Sequence, residues 1–409
     1  MSFWRSMTKG EKRMITILAL INFFNYVDRQ IVFPLFHNIQ LEFVLTDFQL
    51  GLIGSAFVIG FSLTTIPLGV LADRYARRLV IFGGVTFWSV MTFFSGLATN
   101  FKSLLFFRGL VGIGEASYAP ASTAMIADNF PQKKRARVQG LYYVGMFAGG
   151  TIGAILGTLI VYYTESWRLA FFIVAIPGMI LGISSLFLKD QRKSHPSKKF
   201  SVIPLFKNTA YTLIMMGGIF VAFTANAYVA WGVEFIRRYV DGNFLAATVI
   251  VGVTTLIAST IGILLGGVIA DKLQEKTPAG RIILVSFSTL LSIPLLLLGL
   301  TFTGNLFLFA FFFGLGAMLL SFYFGPMTAV IQDVVPNNLR ATSIAIYIFI
   351  IQLVGGSLAP AIVGRLSDIF DLRIALQIAT AGQLFGGLFF LMTAYLIHHK
   401  YFVVEQEDF

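Results

Sequence analysis

Four charged residues stand where the chain is otherwise apolar. Asp28 and Arg29 lie within "NFFNYVDRQIVFPLF" (22–36), and Arg108 and Glu115 within "RGLVGIGEASYAPA" (108–121). In hydrocarbon each charge is costly unless it finds a partner or a wet cavity. Neighbours on a helix point about 100° apart, so Asp28 and Arg29 cannot neutralise each other and each needs a partner elsewhere. A helix rising from residue 14 and another descending to residue 128 would hold Asp28 and Glu115 both roughly 20 Å from the inner surface. Asp28, Arg29 and Glu115 are therefore expected at one depth. Two chemistries fit such a group. One is a structural ion cluster that fixes two helices. The other is proton exchange, because a buried carboxylate beside an arginine changes its hold on a proton as the site hydrates or dries. Arg108, two turns before Glu115 toward the outside, reads as an interfacial anchor or as a gating or headgroup-binding group. Tyr118 and Ser122 continue the face beyond Glu115, as site lining or as ordinary packing. Asn25, just before Asp28, completes this half of a candidate substrate site.

These residues need long apolar elements to hold them. The chain has 409 residues, of which 57% are hydrophobic and only 12% charged, and 43 are phenylalanine. Soluble domains carry about 25% charged residues, so no soluble domain is expected. Runs long enough to cross a bilayer, ~20 residues each, recur near 14–36, 48–71, 79–98, 104–128, 138–163 and 168–188. Six more follow near 209–234, 245–270, 282–302, 305–332, 341–364 and 374–397. The reading is an all-α integral membrane protein: a six-helix bundle over 1–188, a basic cytoplasmic linker over 189–208, and a second six-helix bundle over 209–409. The basic N-terminus is followed by no small-residue cleavage site, so the first helix is expected to be retained. With that terminus cytoplasmic, 22 of the 30 Lys and Arg residues fall on the cytoplasmic side, which is the positive-inside pattern. It also accounts for the net charge of +11 without nucleic acid, since the basic loops would rest on anionic headgroups.

The two halves resemble each other. "GVLADRYARR" (69–78) after the second span matches "GVIADKLQEK" (267–276) after the eighth, and "DNFPQKKRAR" (128–137) matches "DVVPNNLRAT" (333–342). Paired six-helix repeats of this kind describe the major facilitator fold. The stretch from Gly69 to Arg78 resembles that superfamily's signature, with Ala76 where glycine is more usual. "NYVDRQ" (25–30), "RGLVGIGEASYAPA" and "ADNFP" (127–131) together resemble the Spinster family, in its bacterial form. That resemblance implies a proton-linked transporter of lysophospholipids or sphingoid lipids, working by alternating access, with a substrate site between the halves and with Asp28 and Glu115 as the proton-coupling pair. It also implies a conformational latch made by Gly69, Asp73, Arg74, Arg77 and Arg78, with Asp271 as the repeat copy and the region of Arg340 as the facing helix end.

The second half is nearly free of charge inside its spans. Its polar residues there include Asn226, Trp231, Tyr323, Tyr347 and Gln352, the remaining candidates for a substrate site. A sugar transporter is expected to place polar groups on both sides, because each buried hydroxyl needs a partner. One charged wall and one aromatic wall suit an amphiphile instead. The alternative is a proton symporter for a small organic anion such as a sugar acid, with Arg29 on the carboxylate. The four histidines are scattered and give no metal geometry. No nucleotide loop or nucleophile triad is present, so the expectation is no enzyme, no cofactor, and a proton gradient as the energy source. The expected setting is the bacterial inner membrane, both termini cytoplasmic, as a monomer among membrane lipids.

Overall fold

The computed structural model describes residues 7–130, 132–188, 203–240, 243–336 and 339–407. The side chains of Asp73, of 132–136, of Phe147, Pro204 and Ala341 and of 400–407 lie outside the description. The chain divides into two compact units, Met1–Ser197 and Lys198–Phe409. Every regular element among the described residues is helical. Ten helices are long and apolar enough to cross a membrane. The first and fourth spans are absent from that set, and both carry charge within the apolar run: Asp28 and Arg29 in the first, Arg108 and Glu115 in the fourth.

Unit 1 begins with α1 (Lys9–Ile31), opened by a capping box in which Thr8 accepts from the Glu11 amide and Glu11 accepts from that of Thr8. A short α2 (Phe36–Phe43) follows, then α3 (Asp47–Arg74), capped in the same way by Thr46 and Gln49, and α4 (Arg77–Gly96). The fourth span breaks into α5 (Phe101–Glu115) and α6 (Tyr118–Asn129). Its expected continuity over 104–128 is thus corrected: the helix stops on Glu115, where Ser117 turns its hydroxyl back to the Gly114 carbonyl at 2.9 Å. Unit 1 closes with α7 (Gln132–Thr164) and α8 (Trp167–Ser185).

Close backbone approach sets where the charges stand. On α7 Gly145, Gly149, Gly153 and Gly157 recur every four residues. A Cβ on each would come within 2.3–2.9 Å of the carbonyls of Ala19, Phe23, Val27 and Ile31 on α1. Small residues at this spacing let two membrane helices touch along their length. A second seam joins α3 and α5: a Cβ at Gly60 would fall 2.4 Å from the Gly109 carbonyl, and one at Gly112 2.1 Å from that of Phe57. The first seam fixes the level of Asp28 and Arg29. The second fixes Arg108 and Glu115 against Phe57. Below them a core of Leu18, Ile21, Val85, Trp88, Val111 and Met125 fills the unit.

On the side of unit 1 away from the N-terminus, Arg168 makes a two-pronged ion pair with Glu42, at 2.5 and 2.6 Å, and donates to the Ala98 carbonyl at 3.0 Å. Trp167 donates to the same carboxylate at 2.7 Å. This ties α2 to α8.

Unit 2 holds a short α9 (Ile203–Lys207), then α10 (Thr209–Tyr239), α11 (Phe244–Gln274) and α12 (Gly280–Thr301). The tenth span is also broken, into α13 (Leu306–Ser321) and α14 (Phe324–Val334). The eleventh comprises α15 (Arg340–Ile350), a π turn over Ile351–Gly356, and α16 (Ser357–Ile369). The last element is α17 (Leu372–Glu407). Its core gathers Tyr211, Ile214, Val285, Val330 and Phe390. Of the linker expected at 189–208, only α9 and Asn208 lie within the described residues.

The repeat seen in the sequence has a counterpart in ion pairs. In unit 1 Arg77, at the start of α4, is buried and paired with Asp128 near the end of α6. In unit 2 Arg281, at the start of α12, bonds Asp333 near the end of α14 at 2.9 Å and Asp271 near the end of α11 at 2.9 Å.

Candidate functional site

The buried charges of unit 1 form two adjacent ion pairs. Arg29 donates through Nε to Glu115 Oε2 at 2.7 Å. Arg108 donates through Nη1 to Asp28 Oδ1 at 2.9 Å. Residues 108 and 115 stand seven apart, about two turns on one face of α5, and each takes one of the two neighbouring charges of α1. Asp28 therefore meets Arg108, not Glu115. Arg108 is 1% exposed, so the sequence reading of it as an interfacial anchor gives way to a fully interior group. The seam glycines explain this: they draw α3 over the outer part of α5 and seal Arg108 from the surface.

The two carboxylates are held differently. Asp28 has both oxygens engaged, Oδ1 by Arg108 and Oδ2 by the Thr92 hydroxyl of α4. Glu115 has Oε2 on Arg29, while its Oε1 is buried with no hydrogen-bond partner. The cations differ too. The Arg29 side chain keeps 18% of its surface exposed and its guanidinium lies over three rings, those of Tyr26 at 4.8 Å, Phe57 at 5.2 Å and Phe61 at 4.4 Å. A guanidinium over an aromatic face is attracted by the ring quadrupole, the more so away from water. Arg108 lies over Phe57 at 5.4 Å and Phe171 at 5.8 Å, with its Nε unpartnered.

Beyond Glu115 the buried network is neutral. The Tyr118 hydroxyl donates to the Leu18 carbonyl, and its ring stands edge-on to Trp88 at 5.9 Å. Ser122 shares a hydrogen bond with the Tyr142 hydroxyl at 3.0 Å, and Asn22 donates to the Tyr142 carbonyl at 2.9 Å. These contacts pin α6 and α7 to α1. Asn25 is buried with its Nδ2 unpartnered.

The candidates of unit 2 pair among themselves. Asn226 donates to Gln352 Oε1 at 3.3 Å, across from the π turn. Trp231 is fully buried and donates to the Pro360 carbonyl at 3.0 Å. The hydroxyls of Tyr323 and Tyr347 bond each other. Among the signature residues, a Cβ at Gly69 would lie 3.7 Å from Pro120, Arg74 and Arg78 are exposed, and Arg340 donates to the Gln332 carbonyl at 2.9 Å. Among the described residues no group of three His, Cys, Asp or Glu side chains is placed to hold a metal.

Sequence reasoning missed Thr92, Asp128, Arg281, Asp333 and the ring cage. Asp128 and Asp333 had a signal, since both open the repeated loop motif. Thr92 had none, because a lone threonine in an apolar run is ordinary.

Two helical units, with ten helices long and apolar enough to cross a membrane among the described residues, define a polytopic membrane protein, and unit 1 buries ion pairs inside it. The chain belongs to the Major Facilitator Superfamily, whose family model matches residues 18–360. It is 28% identical to Protein spinster of Drosophila melanogaster over 375 residues, covering 87% of this chain and 61% of that one. It thus spans less than two thirds of the fly protein. It is 28% identical to Protein spinster homolog 1 of Xenopus laevis over 424 residues, with 94% and 80% of the two chains covered. In fold it is similar to the crystal structure of a bacterial homolog to the human lysosomal transporter Spinster, in an inward-facing and unoccupied conformation. That match has a TM-score of 0.85 at 23% identity and covers 97% of this chain and 99% of the other. The nucleoside transporter NupG shares the fold at a TM-score of 0.69 and 14% identity, with 93% and 98% covered.

Proposed function

We propose that this chain is a proton-coupled secondary transporter that works by alternating access and moves an amphiphilic lipid of the lysophospholipid or sphingoid class. It sits in a bacterial inner membrane with both termini cytoplasmic, acts as a monomer, and needs no cofactor beyond the proton gradient. The observation that carries the coupling is the unequal treatment of the two carboxylates. Glu115 has a free oxygen beside a partly exposed arginine. A proton placed on it removes the charge to which Arg29 is paired, and Arg29 is then free to take an anionic headgroup. Asp28, with both oxygens held, exchanges a proton only when the Arg108 contact opens. The lipid reading is supported by the similarity to Spinster proteins and by the candidate residues of unit 2, which are neutral and already hydrogen-bonded: Asn226 to Gln352, Trp231 to the Pro360 carbonyl, and Tyr323 to Tyr347. Such an interior offers a tail apolar surface and offers a sugar few unpaired donors.

The test uses protein reconstituted in vesicles. Glu115→Gln should abolish uptake driven by a pH difference while leaving the protein folded and able to bind lipid. Affinity for lysolipids should rise by ~0.8 kcal/mol per added CH₂ until the site is filled. The organic-anion symporter replaces this reading if affinity ignores chain length while Arg29→Gln removes binding of a short carboxylic acid. Unchanged pH-driven uptake in Glu115→Gln overturns the coupling.

A further inference from the structure

Helices α12 and α17 of unit 2 are locked together over one half of their length and part over the other. In the locked half, the Gln383 amide donates to the Thr289 carbonyl at 3.0 Å and to the Ser292 hydroxyl at 2.6 Å. A Cβ at Gly387 would lie only 2.4 Å from Leu290. The change comes at Pro294, which cannot donate to the Leu290 carbonyl and whose ring crowds it. From there to Thr301 the two helices leave a groove of ≈ 600 Å³, within the size of small-molecule sites.

The groove is lined by apolar groups, among them Leu297 and Leu298 of α12 and Ile378 and Ala381 of α17. Two features interrupt it. Gln377 lies on the wall, inside a helix apolar enough to span the membrane, and among the described residues its side-chain amide has no hydrogen-bond partner. An amide facing hydrocarbon without a partner is costly. One turn before Gln377, next to the lining residue Ile374, stands Arg373. Its Nη2 donates to the Thr303 hydroxyl at 3.1 Å and it lies over the Tyr239 ring at 4.9 Å, yet its Nε is buried without an acceptor. The nearby Asp371 carboxylate is engaged as a helix cap, accepting from the Ile374 amide at 2.7 Å.

We propose that this groove binds one phospholipid of the surrounding bilayer, with its phosphate on Arg373, a glycerol-ester carbonyl on Gln377 and one acyl chain running past Ile378 and Ala381 to Pro294. The order of the three contacts is that of the molecule: anion, then ester acceptor about one helical turn (~5.4 Å) further in, then tail. Lipid tails are as apolar as leucine, so the groove contributes fit and the two polar side chains contribute preference. The site lies wholly within unit 2 and does not depend on the transport reading.

The experiment places the full chain in phosphatidylcholine vesicles with a trace of phosphatidylglycerol bearing a photoreactive acyl chain, followed by photolysis and peptide mapping. Label should concentrate on 294–301 and 374–381. Ala381→Trp, which fills the groove, should remove it, while Leu264→Trp, an equally apolar change at a residue 66% exposed on α11, should not. Arg373→Gln should lower labelling by phosphatidylglycerol about fivefold relative to the same probe on phosphatidylcholine, the preference that one arginine near a membrane surface supplies. Gln377→Leu should lower labelling by both probes. Label spread evenly over the lipid-facing helices, or unchanged by Ala381→Trp and Gln377→Leu, overturns the site. Displacement of the probe by a lysolipid but by no diacyl lipid overturns it in favour of a second cargo site.

Discussion

Replacing Arg108 by Gln should destabilise the protein far more than any surface charge change. Arg108 and Asp28 are each 1% exposed, and the guanidinium holds one of the two Asp28 oxygens at 2.9 Å. Without it a buried carboxylate keeps only the Thr92 hydroxyl. Removing one partner of a buried ion pair costs roughly 3–5 kcal/mol, a hundredfold or more in the ratio of folded to unfolded protein at ~1.4 kcal/mol per factor of ten. The comparison is Arg168→Gln, which breaks the pair with Glu42 where the side chains are 32% and 41% exposed. Pairs in water contribute only ~0–1 kcal/mol. Unfolding by dodecyl sulfate in mixed micelles, followed by tryptophan fluorescence, measures both. A second substitution, Asp28→Asn, made together with Arg108→Gln removes the stranded charge and should restore much of the loss. If Arg108→Gln costs no more than Arg168→Gln, or if the double change costs the sum of the two single ones, Asp28 does not carry a buried charge and the reasoning fails.

Thr92→Val should cost about 1–3 kcal/mol in the same assay, the expense of leaving one buried Asp28 oxygen without a donor; a neutral result would mean that water reaches that oxygen. Gly112→Ala should destabilise by roughly 1–3 kcal/mol, because the new methyl falls on the Phe57 carbonyl. Gly140→Ala, with nothing within 4 Å, should be neutral, and equal effects would remove the seam from the account. The hydrogen bond from Arg168, with a smaller one from Trp167, holds the Glu42 carboxyl below the usual range. A depressed folded value stabilises above the unfolded value, about 4.3, and that contribution is lost as pH falls through the folded one. Glu42→Gln should therefore flatten the stability profile on the acid side only, and a change confined to alkaline pH would contradict the assignment.

Helix number and the twofold repeat were legible because apolar run length and a constant offset between motifs survive without any knowledge of packing. The pairing of Arg29 with Glu115 was also within reach, since a rise per residue gives depth. The partner of Asp28 was not. Depth counting treats helices as straight and equal in tilt, and it placed Arg108 two turns outward of Glu115, as an anchor, gate or headgroup-binding group and not as a partner for Asp28. What brings Arg108 inward is the α3–α5 seam, a relation between Gly60, Phe57, Gly109 and Gly112 that no single helix carries in its own periodicity. The break after Glu115 had a signal that was not used: Pro120 cannot donate to the Ala116 carbonyl and its ring crowds it, and the helix stops there, with Ser117 turning back onto the Gly114 carbonyl. The ion pairs of Arg77 with Asp128 and of Arg281 with Asp333 were half visible, the acids in the repeated loops and the arginines in no shared motif.

The three rings around Arg29 have a consequence for timing. An arginine whose only attraction were Glu115 would be stranded in a dry interior whenever that carboxylate became neutral, and would have to move or draw in water at the same moment. Tyr26, Phe57 and Phe61 give the cation somewhere to stay that does not depend on protonation, and two of them belong to α3, not to either helix of the ion pair. Loss of the anion and departure of the arginine become separate events. Under the proposed coupling, the interval between them is one in which the rings alone hold a partly exposed cation, open to an arriving anion.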